Sequence, residues 1–199
     1  MEPLATYVYT GLDMDEEIVC TVHSSPRATV SWTKDGETLD DSSPDFVFGQ
    51  EANKHSLTVK NIKSEYLGRY TCEAKNELGS DQSSVEVSGK AEPVIFSSSD
   101  ISLYPDSYTL SWSADSKSEI TMFLVEYKES RATKWTSMEV TPSQGQEWRG
   151  TTLLSHLQSA TQYQARVSSR NMFGYSQPAM FNFATKGAGS NSLSKYNIQ

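Results

Sequence analysis

The run Tyr70-Thr71-Cys72-Glu73-Ala74-Lys75 leaves this chain few folds to choose from. Tyr70, Cys72 and Ala74 fall on one side of an extended backbone, and Thr71, Glu73 and Lys75 fall on the other. A period of two with one apolar face describes a strand half-buried in a layered β protein. Gly68 before the run and residues 76–79 after it supply turn chemistry.

Other runs in the first half carry the same period. Ile18, Cys20 and Val22 alternate, as do Ala28, Val30 and Trp32. Phe46 with Phe48, Leu57 with Val59, and Val85 with Val87 follow suit. Tyr7-Val8-Tyr9-Thr10 reads as a first edge strand, the acidic residues 13–17 as a turn, and Asp35-Gly36 as a hairpin turn. Ile62 is expected to close the core from a loop. Two cysteines far apart in sequence read as one long-range disulfide in an oxidising compartment, or as two buried thiols in a reducing one. Cys20, Trp32 and Cys72 lie on the inward phase of three separate strands, which places the indole against the cysteine pair.

Gly89 to Pro93 is a short break. Beyond it the cysteines stop and the alternation continues: Tyr108, Leu110 and Trp112; Phe123, Val125 and Tyr127; Tyr163, Ala165 and Val167; Phe181 with Phe183. Regular short strands without cysteine argue for a second sandwich held by aromatic packing. The expected organisation is all-β, two tandem β-sandwiches: residues 1–89, a linker at 90–92, residues 93–186, and a flexible tail at 187–199.

Composition narrows the function. With 199 residues and a net charge of −8, the chain lacks the basic face that nucleic acid or anionic lipid requires. No apolar run approaches a membrane span. The opening Met1-Glu2-Pro3-Leu4 lacks the apolar core of a secretory leader, so the chain reads as a fragment of a longer protein. His23, His55 and His156 are scattered without metal-ligand spacing. Residues 13–17 lack the alternating ligand pattern of a calcium loop and read as a solvated turn. No phosphate-cradling glycine loop or nucleophile elbow occurs, and Arg149-Gly150-Thr151 lacks the third-position Asp of the integrin tripeptide. No enzyme, cofactor, metal or small-molecule substrate is expected.

Residues 7–88 resemble an immunoglobulin domain of the I set, through Tyr70-Thr71-Cys72-Glu73-Ala74-Lys75-Asn76 and the short gap after Asp35-Gly36. The resemblance implies a Cys20–Cys72 disulfide, with Trp32 and Tyr70 as core markers. One position departs from the family, which usually places Asp where Tyr66 stands, paired with an Arg on the strand holding Phe46. Tyr66 must pack or face a neighbour instead. Residues 93–185 resemble a fibronectin type III domain, through Trp112, Val125-Glu126-Tyr127, Leu157 with Thr161-Gln162-Tyr163, and Asn171-Met172-Phe173-Gly174-Tyr175-Ser176. Trp112, Tyr127 and Tyr163 are its core markers. This order is similar to neural adhesion proteins of the NCAM, fasciclin II, klingon and wrapper type. It implies an extracellular, membrane-proximal fragment of a cell-surface recognition protein whose partners are proteins on the same or an apposed cell, itself included. Intracellular muscle scaffolds of the titin and twitchin type, receptor kinase or phosphatase ectodomains, and secreted binding proteins share such modules.

Two surfaces are candidates for contact. One is the outward face bearing Thr33, Glu73 and Lys75, with Trp148 a further candidate in the second half. The other is an expected interdomain contact of Tyr66 or Leu67 with Met172, Phe173 or Tyr175.

Overall fold

The computed structural model describes residues 2–3, 6–143 and 148–188. The chain divides between Lys90 and Ala91 into two compact units.

The first unit runs β1 (Glu2–Pro3), β2 (Tyr7–Tyr9), β3 (Glu16–Thr21), β4 (Thr29–Lys34), β5 (Glu37–Leu39), β6 (Phe46–Glu51), β7 (Lys54–Val59), β8 (Gly68–Asn76) and β9 (Gly79–Ser88). Two sheets result, ordered β1-β3-β7-β6 and β2-β9-β8-β4-β5. Glu16 and Glu17, expected in a turn, open β3 instead and pair with Val59 and Thr58. The short edge strands β1 and β5 carry too few residues to show a period. Asp35 and Gly36 both take positive φ, 49° and 91°, the geometry of a two-residue hairpin turn.

The core of this unit forms where the inward phases meet. Ile18, Cys20, Trp32, Leu57, Val59, Ile62, Tyr70, Cys72, Val85 and Val87 pack as one cluster. Cys20 and Cys72 are joined across it, with Cα atoms 6.6 Å apart. Of the two alternatives, the structure carries the disulfide. Ile62 is clamped by its backbone: its N–H donates to the Met14 carbonyl and its carbonyl accepts from Asp13 N–H.

The second unit runs β10 (Ile95–Phe96), β11 (Ser107–Ala114), β12 (Met122–Glu129), β13 (Thr136–Val140), β14 (Trp148–Ser155), β15 (Gln162–Asn171), β16 (Gly174–Tyr175) and β17 (Ala179–Ala184). One sheet is β10-β11-β14, and the other is β13-β12-β15-β16 with β17 also on β15. Aromatic rings fill the space that a disulfide fills in the first unit. Tyr108, Phe183 and Tyr163 stack at centroid distances of 3.9 and 5.3 Å, and Trp112 meets Phe123 edge-on. Trp112 sits directly across from Gly150 in the β11–β14 ladder. Residues 90–92 were expected to be linker, yet Ala91 lies buried in this second core and the Glu92 N–H donates to the Asp115 carbonyl. Of the tail expected at 187–199, residues 189–199 lie outside the described residues.

The two units share one device. Tyr70 Oη donates to the Tyr66 carbonyl at 2.7 Å, and Tyr163 Oη accepts from the Gln158 N–H at 2.9 Å. Each phenol ties its strand to the turn just before it, and each ring lies in its core.

Candidate binding surfaces

The alternation that buries Tyr70, Cys72 and Ala74 sends Arg69, Thr71, Glu73 and Lys75 to the opposite face of the five-stranded sheet. Register then assembles a polar surface. Thr33 lies beside Thr71 and Ser31 beside Glu73. On the other flank Thr71 meets Ser84 and Glu73 meets Gln82. Thr33, Glu73 and Lys75 therefore occupy successive rows of one face, and the Thr71 and Ser84 hydroxyls bond at 2.8 Å.

The face ends in a feature that went unread in the sequence. Val8 packs on the core, so its neighbours Tyr7 and Tyr9 point outward, stacked at 5.9 Å with planes 13° apart. They pair in parallel with Glu86 and Ser88 of β9. The signal was present: a single Val between two Tyr fixes which way the rings point. Aromatic pairs with polar tips suit contact with protein, because they bury large area with few rotors.

The β4–β5 turn is clasped to this sheet. The Asp35 N–H donates to the Arg69 carbonyl at 2.8 Å, and Asp35 Oδ1 accepts from the Arg69 N–H at 2.9 Å. Lys34 pairs with the same carboxylate. The Lys34 hydrogen bond, followed by that from the Arg69 N–H, holds the Asp35 carboxyl below the usual range.

Tyr66 finds the neighbour its departure demanded. Its hydroxyl donates to Asp45 Oδ2, its ring lies 5.4 Å from Phe46, and Lys63 Nζ stands 3.4 Å from the same carboxylate. The acid thus sits on the residue preceding β6, and the turn supplies a phenol. Leu67 packs on the first core. In the second unit Met172 is 71% exposed, Phe173 is half-buried, and Tyr175 lies 5.6 Å beneath the Arg170 guanidinium.

The outer face of the second unit's larger sheet is charged and internally paired. Arg166 makes a two-point bond to Glu126, at 2.6 and 2.9 Å. Its guanidinium lies 4.5 Å from the Trp135 ring, with Lys128 Nζ 5.1 Å from the same ring. Trp148, offered as a contact residue, is half-buried against the second core across from Ala114. Tyr127 packs on that core from its margin, while Trp112 and Tyr163 lie within it. Among the described residues no group of three His, Cys, Asp or Glu is placed to hold a metal, and no helix is long and apolar enough to cross a membrane.

A family model of the immunoglobulin I-set domain matches residues 8–88, and one of the fibronectin type III domain matches residues 97–181. The chain carries an I-set domain followed by a fibronectin type III domain. The chain is similar over most of its length to several curated proteins. Sialic acid-binding Ig-like lectin 10 of Homo sapiens is 28% identical over 79% of this chain and 22% of its own length. Myosin light chain kinase, smooth muscle, of Gallus gallus is 27% identical over 82% of this chain and 8% of its own. Neural cell adhesion molecule L1-like protein of Mus musculus is 29% identical over 85% of this chain and 14% of its own. The chain spans less than a quarter of each. The I-set domain therefore holds the disulfide and the Thr33–Glu73–Lys75 face, and the fibronectin domain holds the aromatic core.

Proposed function

We propose that the parent is a cell-surface recognition protein, neural in setting, and that this tandem forms part of its extracellular region close to the membrane anchor. It works by protein–protein contact, homophilic or heterophilic, between cells or along one cell. The observation that carries this reading is the Cys20–Cys72 disulfide across the I-set core, since such bonds persist in oxidising compartments. The likeness to an L1-like adhesion protein across both domains supports it. The contact surface on the I-set domain is the outer face with Thr33, Glu73 and Lys75, anchored by Tyr7 and Tyr9. Single contacts of this kind are weak and add up over many copies on apposed membranes.

The test is aggregation of cells displaying the full ectodomain, comparing like cells with mixed cells. Clusters are expected in one arrangement or the other, and Tyr7→Ala with Glu73→Ala reduces them. Dispersed cells in both arrangements overturn the reading. The likeness to a smooth-muscle kinase favours a second one, an intracellular scaffold. Antibody labelling of unpermeabilised cells separates the two.

A further inference from the structure

The inward phase of the I-set strands runs on past the hydrophobic core at one end of the domain. Beyond Phe46 and Phe48, the next inward position of β6 is Gln50; ahead of Leu57 and Val59, that of β7 is His55. Register sets His55 directly across from Gln50 on one side and from Cys20 on the other. Polar side chains at these two positions end the core, and an open hollow of about 550 Å³ lies against them. The loop between β3 and β4 lines it with Ser24 and Arg27, and Asn53 adds an amide. That loop is pinned. Ser24 Oγ accepts from the Ala28 N–H at 2.9 Å, the Pro26 carbonyl accepts from Asn76 Nδ2 at 2.8 Å, and the Val22 N–H donates to the Asn53 carbonyl at 2.8 Å. Among the described residues the side chains of Arg27, Gln50 and His55 have no hydrogen-bond or ion-pair partner. No carboxylate lines the hollow, although acidic residues outnumber basic ones in the chain.

We propose that this hollow binds an anionic sugar, with Arg27 taking its acidic group and Gln50, Asn53 and His55 taking its hydroxyls. The lining chooses the ligand. A guanidinium without a protein carboxylate matches the planar fork of a carboxylate or the oxygens of a sulfate. Amides both donate and accept, as hydroxyl groups do, and Val22, Ala28 and Ala52 offer methyl groups to the C–H face of a ring. Burial, and then the charge of Arg27, holds the His55 imidazole below its usual range. At neutral pH it is therefore an uncharged hydrogen-bonding group and not a second cation. Size argues likewise, since the hollow lies in the range of small-molecule sites and is far larger than a bare ion needs. The neighbouring hollow, across the same loop, is lined by Asp81 and by neither Lys nor Arg, so the preference belongs to one side of the loop. Because the hollow is open and Arg27 itself is exposed, the ligand keeps much of its hydration and binds weakly, with a millimolar Kd. The site is built from inward positions and loop residues, not from the outward Thr33–Glu73–Lys75 face, so the inference does not rest on the proposed adhesive role.

Titration of the whole chain, followed by amide shifts, tests it with glucuronate, glucose sulfate, glucose and sodium sulfate as probes. Saturable shifts confined to residues 22–28 and 50–55 are expected with glucuronate, glucose sulfate or both, and the tighter of the two names the acidic group. Glucose and sodium sulfate are each expected to bind at least tenfold more weakly. Arg27→Gln weakens the anionic sugar about tenfold, the loss of one charge-assisted contact, and Gln50→Ala weakens it severalfold. Arg69→Gln, which removes the same charge beside the β4–β5 turn, leaves binding unchanged. Shifts absent with both anionic sugars overturn the inference. So does equal binding of sodium sulfate, which marks an adventitious ion only, or equal binding of glucose, which leaves the acidic group unused. A loss with Arg69→Gln as large as with Arg27→Gln overturns it as well.

Discussion

Gly150→Ala tests how the cysteine-free core is built. A Cβ placed at Gly150 would stand 2.4 Å from Trp112 Cε2 and Cζ2, and 2.6 Å from Nε1. Carbon atoms rest at about 3.5–4.0 Å, so one group must move by more than ~1 Å. Neither is free to do so. Trp112 is 2% exposed and meets Phe123 edge-on at 5.4 Å, while Gly150 is locked to Trp112 by the β11–β14 ladder. Overpacking of this kind costs about 1–3 kcal/mol, and a rigid ring in place of a flexible chain end argues for the upper half. The lower entropy of unfolded Ala offsets about 0.4–1 kcal/mol. The expected net loss is about 1–2 kcal/mol, which lowers the midpoint of a domain this size by roughly 4–16 °C. Scanning calorimetry of the whole chain reads it, with reductant identifying the I-set transition as the one that shifts. Trp112→Leu alone is destabilising. In the Gly150→Ala background it costs less, a coupling of more than ~0.5 kcal/mol. An unchanged fibronectin transition in Gly150→Ala, or strictly additive effects, refutes the reasoning.

Three further outcomes follow from the geometry. Removing the disulfide by Cys20→Ala with Cys72→Ala lowers the I-set domain's stability by about 4 kcal/mol, from the chain entropy of a 52-residue separation, and leaves the fibronectin transition in place; urea melts followed at Trp32 check it. The Asp35 carboxyl titrates below its unfolded value, so its stabilisation is complete above about pH 4 and is lost as pH falls through the lower folded value. Asp35→Asn is therefore less stable than wild type at pH 7, and the gap closes in acid; a gap constant to pH 2 contradicts the assignment. Trp135→Ala unstacks Lys128 and Arg166 and costs the fibronectin domain about 1–2 kcal/mol, measured by the same melts, with no change in the I-set transition.

Strands with inward side chains of recognisable apolar type were legible in the sequence. Tyr70-Cys72-Ala74 and Tyr108-Leu110-Trp112 announce both their extension and their facing. β14 was not legible, because its inward positions are Trp148, Gly150, Thr152 and Leu154. Gly faces inward there only because an indole from the neighbouring strand occupies the space, and no local pattern encodes that. The same cause made Trp148 look like a surface residue. Residues 16 and 17 were misread because two Glu at a strand start look like an acidic turn until Val59 and Thr58 pair with them. The outer face proposed for contact was half legible. Thr33, Glu73 and Lys75 follow from strand phase, whereas their neighbours Ser84 and Gln82 come from register. At Tyr66 the sequence showed that the family's acid was missing, and only the fold shows Asp45 supplying one from the other side.

The account rests on a covalent bond across one core and its replacement by stacked rings in the next. Mass mapping of protein secreted by cells, alkylated before any reduction, tests the first half most directly. The account predicts a single peptide pair joined through Cys20 and Cys72, with no alkylated cysteine. Alkylation of both cysteines would contradict it.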